Sequence, residues 1–284
     1  MQWQTTRFAL DLSGPLVMGI VNVTPDSFSD GGCFVSTRTA LDHCEQLLRE
    51  GAHILDIGGE SSRPGVAPVT LEEERARVLP VLREAVRLQV PISVDTYKPE
   101  LMRDALDLGA DIINDIWALQ RPGALDAIAV HASCGICLMH MHGEPQTMQR
   151  SPMLGDAVPQ VREFLRERSA ALRLRGVSVG RIAWDPGIGF GKTVEQNFAL
   201  LARQRELLHE GYPLLAGWSR KSSLGTITGE SVQHRMAASV AAAVLAVEKG
   251  ARIVRVHDVR ETAAALKVWS ATQEALAGPA EGRT

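Results

Sequence analysis

Eight short apolar runs, each followed by a turn and an amphipathic stretch, most constrain what this chain can become. They are Leu16–Asn22, Ile54–Ile57, Ile92–Asp95, Ile112–Asn114, Ile136–His140, Ile182–Asp185, Leu214–Gly217 and Ile253–His257. Short, nearly all-apolar runs are what strands of a parallel sheet covered on both faces require. Between them the spacing turns helical. Arg38–Glu50 places Leu41, Cys44, Leu47 and Leu48 on one face. Thr70-Leu71-Glu72-Glu73 reads as a capping box, and Pro80, well inside the pattern that follows, predicts a kink. Further helices are predicted over Pro99–Asp107, Ala124–Ala132, Asp156–Arg175, Val194–Leu208, Val232–Glu248 and Arg260–Ala275. Eight such units predict an α/β fold, a (β/α)8 TIM barrel, whose usual length is about 250 residues. A doubly wound open sheet is the alternative. Residues 1–15 read as a short N-terminal extension, a hairpin or extra strand with Gly14-Pro15 as its turn, and the tail from Gly278 as frayed. With no linker or low-complexity tract, residues 1–284 are expected to form one barrel domain with its core at about 15–275.

Composition narrows the function classes. The 284 residues carry 30 Lys and Arg against 33 Asp and Glu, a net charge of −3, which argues against a nucleic-acid partner. It leaves a small anionic substrate open, because a few cations in one cleft vanish in the total. Residues 1–15 lack the pattern of a signal peptide. No run approaches the roughly 18 apolar residues of a membrane span. Four cysteines (Cys33, Cys44, Cys134 and Cys137) are too few for a disulfide scaffold, so a cytoplasmic location is expected.

The ends of the apolar runs carry the chemistry. They stop at Asn22, Asp56, Asp95, Asn114, His140, Asp185, and then Arg255 and His257, with Lys221 just beyond the seventh run. Any one such residue could simply start a turn or cap a helix. Together they define one face, because barrel strands converge where active sites sit. Arg255 and His257, two apart, share a side of their strand and suit an oxyanion, unless Arg255 pairs with Asp258 or Glu261. Ser219-Arg220-Lys221-Ser222-Ser223 is either an anion cradle or a solvated loop. The segment Gly187-Ile188-Gly189-Phe190-Gly191-Lys192 lacks dinucleotide or Walker spacing and reads as a tight loop letting backbone approach a ligand. Cys134-x-x-Cys137 reads as packing. His140 and His142 on one strand end, with Asp185 and His257, keep a zinc hydrolase as a rival.

These strings resemble one family in order. Residues 18–32, from Met18-Gly-Ile-Val-Asn22 to Ser29-Asp30-Gly-Gly32, resemble the first signature of the dihydropteroate synthases, and Asp56-Ile-Gly-Gly-Glu-Ser-Ser62-Arg63-Pro64-Gly65 the second. The likeness continues through Ser93-Val-Asp95-Thr, Ile113-Asn114-Asp115-Ile116, Cys137-Leu-Met-His-Met, Asp185-Pro-Gly, Ser219-Arg-Lys221-Ser222 and Arg255-Val-His257-Asp258. It implies a barrel enzyme, a transferase that joins 4-aminobenzoate to 6-hydroxymethyl-7,8-dihydropterin diphosphate and releases pyrophosphate. It also implies mobile first and second βα loops, a Mg²⁺ cofactor and a homodimer.

The implied roles follow residue by residue. Asn22 would help hold Mg²⁺ with the diphosphate. Asp95, Asn114, Asp185 and Lys221, with Gly217, would line the pterin pocket, where carboxylates and amides complement the ring's N–H donors. Arg255 and His257 would grip the diphosphate. Asp30 would sit near the developing charge, while Ser62 and Arg63 would close over the reacting centre. Phe28, Pro64, Phe190 and Ser222 would shape the aminobenzoate site, with the N-terminus of the following helix favouring its carboxylate. Asp30, Arg63, Lys221, Arg255 and His257 are the expected catalytic set. The implied chemistry is a dissociative substitution at the pterin methylene, with water excluded by loop closure. The chain departs from the common pattern at Ser62 (usually Thr), Tyr97 (usually small), Trp117 (often Arg), His142 (commonly Gln) and Ile188 (often Phe). A methyltetrahydrofolate-binding methyltransferase barrel shares the pterin-pocket Asp and Asn, but should lack the two loop motifs and Arg-x-His. A non-enzymatic binding module leaves the polar strand ends unexplained.

Overall fold

The computed structural model describes residues 1–24, 33–61 and 65–277, side chains at 33–36 and 277 excepted. An antiparallel hairpin of β1 (Gln2–Gln4) and β2 (Ala9–Asp11) comes first. Eight parallel strands follow: β3 (Leu16–Asn22), β4 (Ile54–Gly58), β5 (Ile92–Asp95), β6 (Ile112–Asp115), β7 (Gly135–Met139), β8 (Ile182–Asp185), β9 (Leu215–Ala216) and β10 (Ile253–Val256). Their order is β8-β7-β6-β5-β4-β3-β10-β9. A parallel bridge from Trp184 to Leu214 brings β8 against the start of β9 and closes the ring. The helices are α1 (Cys33–Glu50), α2 (Leu71–Ala85), α3 (Pro99–Asp107), α4 (Ala124–Ala129), α5 (Ala157–Leu174), α6 (Val194–Ala202), α7 (Ser222–Thr228), α8 (Met236–Glu248) and α9 (Val259–Ala277). This is the expected (β/α)8 barrel, not the open sheet.

The local departures have physical causes. The hairpin turns within residues 5–8, where Thr5 Oγ1 donates to the Phe8 carbonyl at 3.0 Å, and not at Gly14-Pro15. Thr70 caps α2 by accepting from the Glu73 amide at 3.1 Å, but the Glu73 carboxylate turns to Arg77, so only half of the capping box forms. α2 runs on through Pro80. The predicted helix 194–208 stops at Ala202 and continues as a 3₁₀ segment, Gln204–Glu210. α7 escapes sequence pattern altogether, because Ser-Ser-Leu-Gly-Thr-Ile-Thr has weak helix propensity and only seven residues.

Strand alternation sorts the core into two parts. Outward residues such as Val17, Leu55, Ile57, Val94, Ile113, Ile136 and Leu138 pack against the helices. Inward residues at the N-terminal end of the barrel (Met18, Ile54, Ile112, Cys137, Ala183, Leu215 and Ile253) form a separate apolar plug with Trp3 and Leu12 from the hairpin segment. Trp3 is fully buried, and its Nε1 donates to the Arg181 carbonyl at 2.9 Å. Arg7 ties the hairpin down through the buried Asp111, at 2.6 Å. The extension is therefore the barrel floor. Trp3→Ala should lower unfolding free energy in urea by about 3–5 kcal/mol through the cavity it opens. Trp3→Phe, which keeps the plug and loses the hydrogen bond, should cost only about 1 kcal/mol.

Candidate active site

Moving two residues towards the C-terminal end of each strand keeps the inward direction and changes the chemistry. Ile54 gives way to Asp56, Ser93 to Asp95, Ile112 to Asn114, Ala183 to Asp185, Leu215 to Gly217 and Ile253 to Arg255. The strand register sets Asp95 beside Asn114 and Asp56 beside Ser93. The expected pocket residues thus converge on one face of the barrel.

Arg255 is the centre of this layer. Its Nε donates to Asp56 Oδ2 at 2.6 Å and its Nη2 to Asp95 Oδ2 at 2.7 Å. Asn114 Nδ2 donates to the same Asp56 oxygen at 3.3 Å. Asp56 is fully buried, and its Oδ1 has no hydrogen-bond partner among the described residues. Burial raises the Asp95 carboxyl, and the charge of Arg255 pulls it back. Arg255 does not pair with Asp258, which instead takes Arg220 at 2.6 Å.

His257 stands beside it. Its backbone N–H donates to Ser219 Oγ at 3.1 Å, and Ser219 Oγ lies 2.9 Å from His257 Nδ1. A hydroxyl that accepts the backbone proton can give its own to Nδ1, which assigns the ring proton to Nε2. Burial, reinforced by Arg255, lowers His257 to about 3, so the ring is neutral near pH 7. His257, Arg220, Asn22 and Ile20 open onto a cleft of about 570 Å³ that runs along Asp42 and His43 of α1.

Asp185, at the end of β8, and Lys221, after β9, continue the site round the ring from β10. Asp185 Oδ1 accepts the Gly187 amide at 2.7 Å. Burial raises its carboxyl, and that amide and Lys221 oppose the rise. A side chain at Gly217 would begin 3.8 Å from Asp185 Oδ2, so glycine leaves the carboxylate open. Lys221 Nζ lies 4.2 Å from the centre of the Phe190 ring. Burial lowers its ammonium to about 8, against the pull of Asp185.

The glycine-rich loop after β8 is tight because it packs against the loop after β7. Gly187 and Gly191 have φ of +67° and +66°, and a Cβ at either would overlap a backbone carbonyl, of His140 or His142. Backbone approaches backbone here. Lys192 completes the loop: buried, it donates to the carbonyls of Gly187 at 2.9 Å, Phe190 at 3.0 Å and His140 at 3.3 Å. Asn197 accepts the Gly189 amide at 2.8 Å and donates to Ser223 at 2.9 Å, linking this loop to α7. Ser222, exposed, opens α7.

Other expectations sort as follows. Phe28, Asp30, Ser62, Arg63 and Pro64 lie outside the described residues. The His140 ring faces the helical layer, edge-on to Phe164 with centroids 4.9 Å apart, whereas Asp185 and His257 face the barrel mouth, so the strand-end histidine does not join them in a zinc site. Among the described residues no three His, Cys, Asp or Glu side chains group as metal ligands. Cys134 and Cys137 are buried free thiols, raised by burial. Sequence pattern missed the roles of Asp56 as the seat of Arg255, of Ser219 as the partner of His257, and of Lys192. Asp56 was visible as a polar strand end; the other two gave no signal beyond lying in the right loops.

The matches with known proteins agree with this geometry. Residues 18–257 match the family model described as pterin binding enzyme. The dihydropteroate synthase of Neisseria meningitidis serogroup B is 54% identical over 275 residues, covering 95% of this chain and 96% of that protein. The crystal structure of Burkholderia cenocepacia dihydropteroate synthase complexed with 7,8-dihydropteroate superposes with a TM-score of 0.90 at 51% identity, covering 98% of both chains. That of Xanthomonas albilineans dihydropteroate synthase with 4-aminobenzoic acid does so with a TM-score of 0.88 at 49% identity, covering 93% of this chain and 95% of that one. The alternation that builds the floor also delivers the polar layer, and the chain that does so belongs to the dihydropteroate synthase family of pterin-binding enzymes.

Proposed function

We propose that this protein is a transferase that condenses 4-aminobenzoate with 6-hydroxymethyl-7,8-dihydropterin diphosphate to give 7,8-dihydropteroate and pyrophosphate. The observation that carries the reading is the deep polar layer of Asp95, Asn114 and Asp185, with Arg255 and His257 next to it. The carboxylates and the amide complement the N–H donors of a pterin edge. The guanidinium and the neutral, Nε2-protonated imidazole suit a diphosphate.

The bond from the pterin methylene to the diphosphate oxygen breaks, its electron pair leaving with pyrophosphate. The arylamine nitrogen then forms the new C–N bond and loses a proton. Arg255 and His257 stabilise charge where it grows on the leaving group. Lys221, over the Phe190 ring, holds a positive charge beside the pocket. Ser222 and Phe190 serve the aminobenzoate, together with Phe28, Ser62 and Pro64, and Asp30 and Arg63 serve the reacting centre. Asn22 supplies one amide oxygen at the cleft that His257 lines. A single hard oxygen donor fits Mg²⁺, which is commonly held by one or two protein groups plus substrate phosphates and water. Mg²⁺, when bound, would neutralise diphosphate charge.

Pyrophosphate release is the test. It should require both substrates, yield dihydropteroate and stop on adding EDTA. Binding of the dihydropterin diphosphate without release would leave only a pterin-binding relative. In the same assay Arg255→Ala should lower kcat/KM by about 10²–10³-fold, the usual loss on removing one preorganised donor to developing charge; near-normal turnover would remove Arg255 from the diphosphate site.

The pH profile follows from the side chains. Lys221 is cationic below its lowered pKa of about 8 and neutral above it, so kcat/KM should fall with an alkaline limb near pH 8. Lys221→Arg should abolish that limb, whatever its absolute rate. His257, already neutral above about pH 3, should add no limb near 6.5.

We also propose a homodimer through α8. Met236, Ala237, Ala241 and Leu245 lie exposed along this helix, with Ile227 of α7 nearby in sequence and 57% exposed. Light scattering should give twice the 30.8 kDa chain mass at micromolar concentration; a monomer would refute it.

A further inference from the structure

The connection from Gly58, the end of β4, to Leu71, the start of α2, carries Ser62, Arg63 and Pro64. Both of its roots are tied to one cation. Lys98, at the N-cap of α3, donates to Glu60 Oε2 at 2.6 Å and also to Glu74 in the first turn of α2. Lys98 and Glu60 are only 13% and 14% exposed, and Glu74 1%. The second oxygen of Glu60 accepts the Tyr97 hydroxyl at 2.9 Å. Arg77 of α2 reaches back to the Gly59 carbonyl at 2.7 Å. Tyr97 is itself held, edge-on to Trp117 at 6.4 Å between centroids, with Arg121 over both rings. The clamp belongs to the same short connection that begins at Asp95, and the Lys98 amide bonds Thr96 Oγ1 at 3.2 Å.

A buried ion triad is a weak source of stability, because desolvation offsets the attraction; its best-attested value is to fix one arrangement against others. We propose that Lys98, with Tyr97, is a positioning residue: by holding Glu60 and Glu74 it sets both anchor points of the segment that carries Ser62, Arg63 and Pro64, and so tunes the arylamine side of the site without touching substrate. This rests on the functional reading above, in which that segment serves 4-aminobenzoate. It also assigns a task to Tyr97: a small side chain at this position could not reach Glu60.

Two measurements test it together. The first is the KM for each substrate and kcat in Lys98→Met, Lys98→Arg, Glu60→Gln and Tyr97→Phe. The second is amide hydrogen exchange across residues 59–70 in the same proteins. Lys98→Met should raise the KM for 4-aminobenzoate and lower kcat, each by about tenfold, because small misplacements of positioning groups are costly. The KM for the dihydropterin diphosphate should stay within about twofold, and Lys98→Arg should recover most of the loss. Exchange across 59–70 should quicken in Lys98→Met and Glu60→Gln while the barrel strands stay protected. Should Lys98→Met fail to fold with Glu74 left unpaired, Glu60→Gln and Tyr97→Phe remain, since both keep the Lys98–Glu74 pair. Unchanged exchange across 59–70, or KM values for both substrates rising together, would overturn the proposal. A wild-type protein that releases no pyrophosphate would instead sink the functional reading, and the exchange result would then decide the clamp by itself.

Discussion

A guanidinium held between two carboxylates fixes the charge balance of the barrel mouth. Each ion taken from water costs several kcal/mol even after relaxation, so Asp56, Asp95 and Arg255 can share this layer only as a set. Asp56 has no other cation within hydrogen-bonding distance among the described residues, and Arg255 reaches it and Asp95 with separate nitrogens. Asn114 adds its amide to Asp56 without adding charge. The other oxygen of Asp56 has no hydrogen-bond partner among the described residues. The set also requires the register of the sheet. A slip of one residue in β4 would turn Asp56 into the helical layer and bring Leu55 or Ile57 inward.

The connections around this layer are fixed by different means. After β8, two glycines with positive φ let the chain fold onto the carbonyls of His140 and His142, and Lys192 gathers three carbonyl oxygens around its ammonium. Burial lowers that ammonium to about 7, against the pull of Asp185. Asn197 carries the same order into α7 through Ser223, next to Ser222. After β9, Ser219 secures His257, and Arg220, at φ +58°, closes onto Asp258. Backbone geometry therefore holds the side of the site that carries Asp185 and Phe190. The side that carries Asp95 is held by charged side chains, Lys98 between Glu60 and Glu74. Backbone cages demand glycine at fixed places, while ion clamps demand matching charges far apart in sequence.

That difference explains how much of the molecule was legible in the sequence. A two-residue period with polar ends is local information, and β3, β5 and β8 begin and end where the pattern put them. The same period puts Asp95, Asn114, Asp185 and Arg255 on one face without reference to any contact. What stayed hidden depends on pairing between distant segments. From sequence alone Arg255 could as well meet Asp258, three residues on, as Asp56 at a separation of 199 residues. The glycines after β8 mark a tight loop, but nothing in sequence says that the loop after β7 lies beneath them. Glu60 looked like one more polar residue of a loop motif until the register of β4 against β5 set it beside Tyr97 and Lys98. Short-range periodicity can specify which way a side chain points. Its partner is decided by the stagger of neighbouring strands, a property of the closed barrel and of no single segment.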